Sequence, residues 1–202
     1  MKKVFIATSR DIGKKCARWA SENLIDGFVL VEDIKKADIV ISVLYDRLFK
    51  DEILKKQCYN FHPGILPDYK GSGISSWVIV NQEKFHGVTL HIIDEGMDTG
   101  DIIEINKFSI MEDDTSFLLF KKIEDMIYNM FKQWFHKLLI KDFVAHPQKN
   151  TNKKIVYLKK DLKKALDLTK FIKAFYFPGK ESPYYYNSKS EKIYIEYNKQ
   201  EK

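Results

Sequence analysis

The feature that most constrains the fold is the alternation of short apolar runs with a helical segment in the first half of the chain. The run from Asp38 to Leu44, DIVISVL, is rich in β-branched residues and apolar on both faces, which is typical of a strand buried in a parallel sheet. Val4–Ala7 and Phe28–Val31 are similar short runs, and Ile12–Leu24 between them has helical spacing. This alternation predicts an α/β fold with a mainly parallel sheet.

Two further strand-like runs each lead into a loop that is dense in turn residues. Cys58–Phe61 precedes HPGILPDYKGSG, which holds two of the five prolines and three of the nine glycines, and His86–Ile93 precedes DEGMDTGD. Ligands in open α/β sheets bind at the carboxyl ends of strands, so both loops are predicted to shape a site. Arg47–Lys56, which lies before the first of these strands, is interpreted as a short helix.

One long amphipathic helix dominates the second half of the chain. After a predicted strand at Ile102–Ile110, apolar residues recur at steps of three and four from Phe117 to Leu138. Asp113 or Asp114 is the predicted N-cap. An aromatic stripe with this spacing is typical of a helix that packs on the core.

The last sixty residues are predicted to form a smaller extension. We divide the chain into a core domain, 1–140, and an extension, 141–202. The extension begins with a connecting loop, Lys141–Lys154, and continues with a helix at Leu162–Ala174. Tyr184–Tyr197 is predicted to be a β-hairpin with its turn near Asn187–Ser190.

Charge and cysteine content narrow the class of protein. Residues 1–105 hold 14 Lys and Arg against 16 Asp and Glu, whereas residues 106–202 hold 20 against 12. This basic excess suits a phosphate group, a nucleic acid or a membrane surface, but equally a set of solvated lysines. Cys16 and Cys58 are too few for a disulfide framework and lack metal-ligand spacing, and no apolar run approaches the roughly 18 residues of a membrane span. We expect a cytoplasmic protein without a metal.

Polar residues near the two loops indicate acyl-type chemistry. Asn60 and His62 are two apart at the end of a strand, so both side chains leave the same face. An imidazole is the usual general base, and an amide N–H stabilises negative charge on a carbonyl oxygen. A facing carboxylate would orient the ring and raise its pKa. The second loop offers four candidates: Asp94, Glu95, Asp98 and Asp101.

The chain lacks a nucleophile motif such as G-x-S-x-G, which favours direct transfer to an amine over a covalent acyl-enzyme. The first motif reads N-F-H-P-G-I-L-P-D-Y-K-G from Asn60 to Gly71. The second reads G-V-T-L-H-I-I-D-E-G-M-D-T-G-D-I-I from Gly87 to Ile103. Together they resemble the formyltransferases that use N10-formyltetrahydrofolate, over residues 38–110. The resemblance implies a Rossmann-like formyltransferase fold, with 1–140 as its catalytic domain.

The resemblance also implies roles for individual residues. Asn60, His62 and Asp98 match the family's catalytic set. The implied mechanism has the substrate amine attacking the formyl carbon while Asn60 and protonated His62 stabilise the oxyanion. Asp98 aids proton transfer, and tetrahydrofolate leaves. The folate side of the site is assigned to Tyr45, Arg47, Leu48, Phe49 and Asp94, the last of which we expect to shape its loop.

The sequence departs from the family at two places. Position 64 is Gly where the motif usually has Ser, which predicts a more flexible loop without a hydroxyl contact. Only 59 residues precede Asn60, which predicts a shortened N-terminal part that lacks about one strand–helix unit. His91 alternates with its strand neighbours and is interpreted as hydrogen-bonded support for the site.

Three branches of the family differ in the amine that accepts the formyl group. The segment T-S-R-D-I-G, from Thr8 to Gly13, lacks the glycines of the phosphate loop in glycinamide ribonucleotide formyltransferase. The length that remains after residue 110 disfavours the tRNA-binding barrel of methionyl-tRNA formyltransferase. The tail K-A-F-Y-F-P-G-K-E-S-P-Y-Y-Y-N and the following K-I-Y-I-E are similar to the closing segment and hairpin of nucleotide-sugar N-formyltransferases. The residues assigned to the sugar substrate are Lys70, Gly71 and Trp77.

The resemblance therefore predicts formyl transfer to a nucleotide-linked amino sugar, a dTDP-4-amino-4,6-dideoxyhexose, in the synthesis of surface polysaccharide such as O-antigen. Lysines of the basic half would contact the pyrophosphate. The tyrosine-rich hairpin would pack on the core or form a homodimer surface. The alternatives are a methionyl-tRNA or glycinamide ribonucleotide formyltransferase and, in another class, a binding module for folate or nucleotide sugar that has lost turnover.

Overall fold

The computed structural model describes residues 1–49, 52–149, 156–164, 174, 176–180, 184–186 and 192–194. The α-helices whose bounds lie within the described residues are α1 (Asp11–Glu22), α2 (Ile74–Val80) and α3 (Ser116–Ile140). The strands are β1 (Lys2–Thr8), β2 (Phe28–Leu30), β3 (Ile39–Val43), β4 (Gln57–His62), β5 (Lys70–Gly71), β6 (Phe85–Ile92), β7 (Ile102–Ser109), β8 (Val156–Tyr157), β9 (Tyr184–Tyr186) and β10 (Lys192–Tyr194). No helix among these residues is long and apolar enough to span a bilayer.

A six-stranded sheet with the order β2-β1-β3-β4-β6-β7 forms the centre of the molecule. The pairs among the first four strands are parallel, which confirms the predicted α/β fold. β6 and β7 differ, because each pairs antiparallel with its neighbour. The connection between β4 and β6 contains the two-residue β5 and the seven-residue α2, and it returns to the end of the sheet at which β4 finishes. β6 therefore runs back along β4.

The long helix α3 covers one face of the sheet. Ile123, Ile127 and Phe131 are fully buried in a cluster that includes Phe61 on β4 and Leu90 on β6. The rings of Phe61 and Phe131 lie 5.6 Å apart, centroid to centroid. Burial of each such side chain contributes roughly 1.5–3 kcal/mol, so α3 holds the strands that carry the site.

The N-terminus of α3 corrects one prediction. Thr115 is the N-cap, because its Oγ1 accepts a hydrogen bond from the Leu118 N–H at 3.3 Å. The carboxylate of Asp114 instead accepts from the Met111 N–H and from Lys122 Nζ. Neither Asp113 nor Asp114 caps the helix, because the chain turns one residue later than the sequence indicates.

The helix predicted at Arg47–Lys56 is wrong for the described residues there, which form turns. The rings of Tyr45 and Phe49 stack at 5.3 Å, and Lys56 Nζ donates to the carbonyl of Lys35 at 2.7 Å. These contacts with other parts of the fold outweigh the modest helix propensity of the segment.

The extension is described only in part. β9 and β10 pair antiparallel, which confirms the strands of the hairpin, while the turn at Asn187–Ser190 lies outside the described residues. Lys159–Lys164 forms a 3₁₀ helix, and most of the helix predicted at Leu162–Ala174 also lies outside them. β8 pairs parallel with β5 of the core. The division at residue 140 stays a prediction.

Candidate active site

Four polar side chains share one face of the sheet where β4 pairs with β6. Asn60 lies opposite His91, and His62 lies opposite Thr89. The alternation of strand residues thus places Asn60 and His62 on the same face, as their spacing predicts. Asn60 Nδ2 lies 3.1 Å from His91 Nε2. Because His91 Nδ1 lies 2.6 Å from the Ile92 carbonyl, which can only accept, Nε2 is the nitrogen that accepts from Asn60.

The carboxylate of Asp98 completes this cluster. Its Oδ2 lies 3.5 Å from His62 Nδ1 and accepts the Gly71 N–H at 2.9 Å, while its Oδ1 lies 3.4 Å from Asn60 Nδ2. Since β6 runs antiparallel to β4, the loop that carries Asp98 leaves the opposite end of the sheet. It reaches the site only by folding back over the sheet face. The two motif loops therefore meet, although by a route that a parallel sheet would not provide.

His62 is neutral at neutral pH. Only 2% of its surface is exposed, and this burial lowers its pKa below the usual value of 6.5. Asp98 raises the pKa of His62, as predicted for a facing carboxylate, but the effect of burial is larger and the pKa is lowered overall. Nε2 lies 2.6 Å from the Tyr69 carbonyl and must donate to it. In the neutral ring, Nδ1 is then the basic nitrogen, and it faces Asp98.

Asp98 is ionised. Burial on its own would raise the pKa of this carboxyl group, but the facing His62, the nearby His91 and the Gly71 N–H together lower it. Gly71 suits this role because its φ is 102° and a Cβ there would collide with the Tyr157 carbonyl. The site thus combines a carboxylate with a neutral imidazole.

Gly64 allows the loop after β4 to pack closely on itself. A Cβ at this position would lie 2.7 Å from both His62 Nε2 and the Tyr69 carbonyl oxygen, so the absence of a side chain allows these two groups to bond. Thr89 Oγ1 donates to the Gly64 carbonyl at 2.7 Å and accepts the Leu66 N–H at 3.1 Å. These contacts correct the expectation of a looser loop.

A cavity of about 1110 Å³ opens at this cluster. All three predicted catalytic residues line it. So do the residues assigned to folate, namely Tyr45, Arg47, Leu48, Phe49 and Asp94. Asp94 Oδ1 also accepts from the Gly96 N–H and from Thr99 Oγ1 at 2.6 Å, so it shapes its loop as expected.

The residues assigned to the sugar divide into two groups. Gly71 lines the cavity, whereas Lys70 and Trp77 are not among its lining residues. The indole of Trp77 donates to the Leu158 carbonyl at 3.2 Å and packs against the ring of Tyr157 at 5.1 Å. Lys70 and Trp77 therefore lie outside the cavity lining, and their contact with substrate stays a prediction.

Sequence reasoning missed Arg10, which lines the same cavity. Its position directly after β1, at the carboxyl edge of the parallel strands, is a signal that could have identified it. The hydrogen bond from the Ser9 hydroxyl lowers the pKa of Asp46 most, and the charges of Arg10 and Arg47 lower it further. The described residues contain no group of three or more His, Cys, Asp or Glu side chains that could hold a metal ion.

Comparison with known proteins assigns this arrangement to a family. The model of the formyl transferase family matches residues 28–135, more than half of the chain, and includes Asn60, His62 and Asp98. The chain belongs to the formyl transferase family. Family membership accounts for the convergence of the two motifs on one cavity.

Relatives of two kinds match the family region. A methionyl-tRNA formyltransferase of Kosmotoga olearia is 31% identical over 69% of this chain, and the match spans 46% of that protein's length. A GDP-perosamine N-formyltransferase of Brucella melitensis is 40% identical over 42% of this chain and 34% of its own length. The match thus covers less than half of either relative.

A solved structure is similar to this chain over most of its length. WlaRD, a sugar 3N-formyltransferase crystallised in the presence of dTDP and 5-N-formyl-tetrahydrofolate, superposes with a TM-score of 0.77 at 25% identity. The superposition covers 88% of this chain and 80% of WlaRD.

Proposed function

We propose that this protein transfers the formyl group of N10-formyltetrahydrofolate to the primary amine of a nucleotide-linked amino sugar. The observation that carries the proposal is the convergence of Asn60, His62 and Asp98 at the cavity near the junction of β4 and β6. Family membership supports formyl transfer, and the similarity to WlaRD and to the GDP-perosamine enzyme supports a sugar acceptor.

The reaction forms one C–N bond and breaks another. The lone pair of the sugar amine attacks the formyl carbon, and the carbonyl π electrons move to oxygen to give a tetrahedral oxyanion. Neutral His62 accepts a proton from the attacking nitrogen at Nδ1, directly or through water. The oxyanion then collapses, the bond from carbon to N10 breaks, and N10 takes the proton. The products are the formamido sugar and tetrahydrofolate.

The charges of the site fit these steps. Once protonated, His62 is a cation whose Nδ1–H faces the Asp98 carboxylate at 3.5 Å, so the carboxylate stabilises the ion that burial disfavours. The contact from Asn60 Nδ2 to Asp98, at 3.4 Å, is long, so a formyl oxygen can take over that hydrogen and have its negative charge stabilised. The protonated His62 of the sequence-based mechanism thus becomes an intermediate rather than the resting form.

The finer assignment is a dTDP-4-amino-4,6-dideoxyhexose. The dTDP present in the WlaRD crystal supports thymine as the base of the nucleotide, while the GDP-perosamine relative supports guanine. Synthesis of surface polysaccharide, a cytoplasmic location and a homodimer through the hairpin of β9 and β10 stay predictions from the sequence. Methionyl-tRNA is the second candidate acceptor, favoured by the Kosmotoga olearia relative.

Mass spectrometry of the acceptor tests the proposal. The protein is incubated with N10-formyltetrahydrofolate and amino sugars linked to dTDP, UDP or GDP, alongside glycinamide ribonucleotide and charged initiator tRNA. We expect the mass of one sugar to increase by one CO unit, with an equal yield of tetrahydrofolate. An increase only in the tRNA or the ribonucleotide would reject the sugar acceptor, and no increase in any acceptor would reject formyl transfer.

A further inference from the structure

Asp98 holds its carboxylate in place from an unfavourable backbone conformation. Its φ is 54°, in the left-handed region that residues other than glycine seldom occupy. A residue in this region is retained when the surrounding structure determines its conformation. Groups that bind the backbone of Asp98 are therefore candidates for holding the carboxylate against His62.

The side chain of Gln148 makes such a contact. Its Nε2 donates to the Asp98 carbonyl at 2.9 Å and to the Gly100 carbonyl at 2.9 Å, so both amide hydrogens bind the loop. The neighbouring backbone is attached to the same loop end, since His146 and Ile102 exchange two N–H···O bonds of 2.8 Å. Gln148 lies in the connecting segment after α3, beyond the residues that the family model matches.

We propose that Gln148 is a positioning residue for Asp98, holding the backbone turn that directs its carboxylate at His62 and the Gly71 N–H. This inference rests on the proposed function for its effect on the rate. It extends the working part of the site into a segment that sequence reasoning treated as a loop.

The chemistry of the amide explains why glutamine suits this position. Two carbonyl oxygens converge on it, so the group that meets them must be a double donor. The reverse orientation would set Oε1 against both oxygens. In the observed orientation Oε1 is buried and has no hydrogen-bond partner among the described residues, so the two donated bonds come with an unsatisfied acceptor. Methionine has a similar length and lacks both donors.

The chain offers a matched control in Gln57. Its Nε2 also donates to a backbone carbonyl, that of Leu138, at 2.8 Å from a half-buried position at the start of β4. Gln57→Met removes the same kind of bond from a residue that does not line the cavity. A purely structural role for Gln148 would make the two variants behave alike.

Steady-state kinetics is the first readout. We expect Gln148→Met to lower kcat by about 10- to 100-fold with the KM of both substrates within about twofold, because the Asp98 carboxylate is misplaced while the binding surfaces remain. Gln57→Met should keep the wild-type kcat. Equal kcat values for wild type and Gln148→Met, or equal losses in both variants, would overturn the proposal.

A second readout does not need turnover. Among the described residues, the charged and titratable groups that interact with His62 are Asp98, His91 and His86, and Tyr69 adds a backbone carbonyl. Because Asp98 favours the His62 cation, its displacement should lower the pKa of His62. We expect NMR titration of the ring to show this shift in Gln148→Met and not in Gln57→Met. An unchanged titration in Gln148→Met would overturn the proposal. Absence of formyl transfer by the wild-type protein would reject the proposed function alone.

Discussion

Two buried histidines on neighbouring strands show what makes an imidazole chemically useful in this fold. His62 and His86 are 2% and 0% exposed, and burial lowers the pKa of both. His62 faces the Asp98 carboxylate and the cavity. His86 contacts Ser75 Oγ at 3.1 Å, and its Nδ1 has no partner within the described part of the chain.

The difference teaches that burial alone does not make a catalyst. His86 forms a Ser–His pair, but it does not line the cavity, and no carboxylate among the described residues shifts its pKa. It therefore lacks the counter-charge that would stabilise a proton taken from a substrate. His62 has both features. The comparison therefore predicts that changes at the two positions affect different properties of the protein.

The largest effect is expected from His62→Asn. Loss of the proton acceptor should lower kcat by about 10²- to 10⁴-fold while the fold is kept, as followed by formyl transfer and circular dichroism. His86→Asn makes the same substitution outside the cavity and should destabilise the protein without lowering kcat of the folded fraction. A His62→Asn variant with wild-type activity would contradict the catalytic assignment. If the wild type binds folate or nucleotide sugar without turnover, and His62→Asn binds it with the same affinity, the protein is a binding module.

Asp98→Asn removes the carboxylate charge that faces His62 and distinguishes it from His86. We expect kcat to fall by roughly 10²-fold, because the imidazolium formed at His62 loses its counter-charge. The pKa of His62 should fall further, so the acid limb of the kcat profile should move to lower pH. Asp101→Asn changes a carboxylate of the same loop that does not line the cavity, and it should leave the profile in place. A shift to higher pH in Asp98→Asn would reject this electrostatic role.

Ser75→Ala tests the structural role of the other histidine. The substitution leaves His86 Nε2 buried without its partner, which should cost about 1–3 kcal/mol in the free energy of unfolding. Denaturant titration measures the loss, and kcat should stay at the wild-type value. A fall in kcat that matches that of His62→Asn would show that Ser75 and His86 belong to the active site.

The smallest effect, expressed per pH unit, is expected in the pH dependence of the free energy of unfolding. Burial lowers the pKa of His86 from 6.5 to about 3 in the folded protein, so between these values only the unfolded chain takes up the proton. Stability is thus full above about pH 6.5, and its His86-dependent part is lost at roughly 1.4 kcal/mol per pH unit as the pH falls toward 3. His86→Asn should remove this slope in denaturant titrations. The same acid slope in both proteins would show that His86 is not the group responsible.

The sequence predicted the parallel half of the sheet well and the antiparallel half less well. The run Ile39–Val43 is apolar on both faces because it is covered on both faces, so its composition reports its environment. The direction of β6 cannot be predicted in this way, since the alternation of its side chains is the same whichever way the strand runs. That direction depends on where the chain from His62 to Phe85 returns, which no local pattern records.

The same limit applies to the site. The spacing of Asn60 and His62 and the motif around Asp98 were sufficient to name the residues that converge. The overall lowering of the His62 pKa was not predicted, because a motif shows the charged neighbour of the ring and not its burial. Gln148 carried no motif, and its bonds to the Asp98 loop connect positions 50 residues apart.

The sequence by itself determined most of the elements, which faces are apolar and which functional groups the chain can offer, because these follow from side-chain chemistry and spacing of two or of three to four residues. Tertiary structure alone decided that the Asp98 loop folds back to β4, that His62 is neutral and that Gly64 leaves room for its bond to Tyr69. Desolvation, charge pairing and steric fit depend on atoms brought together from distant positions, so they exist only once the chain has packed.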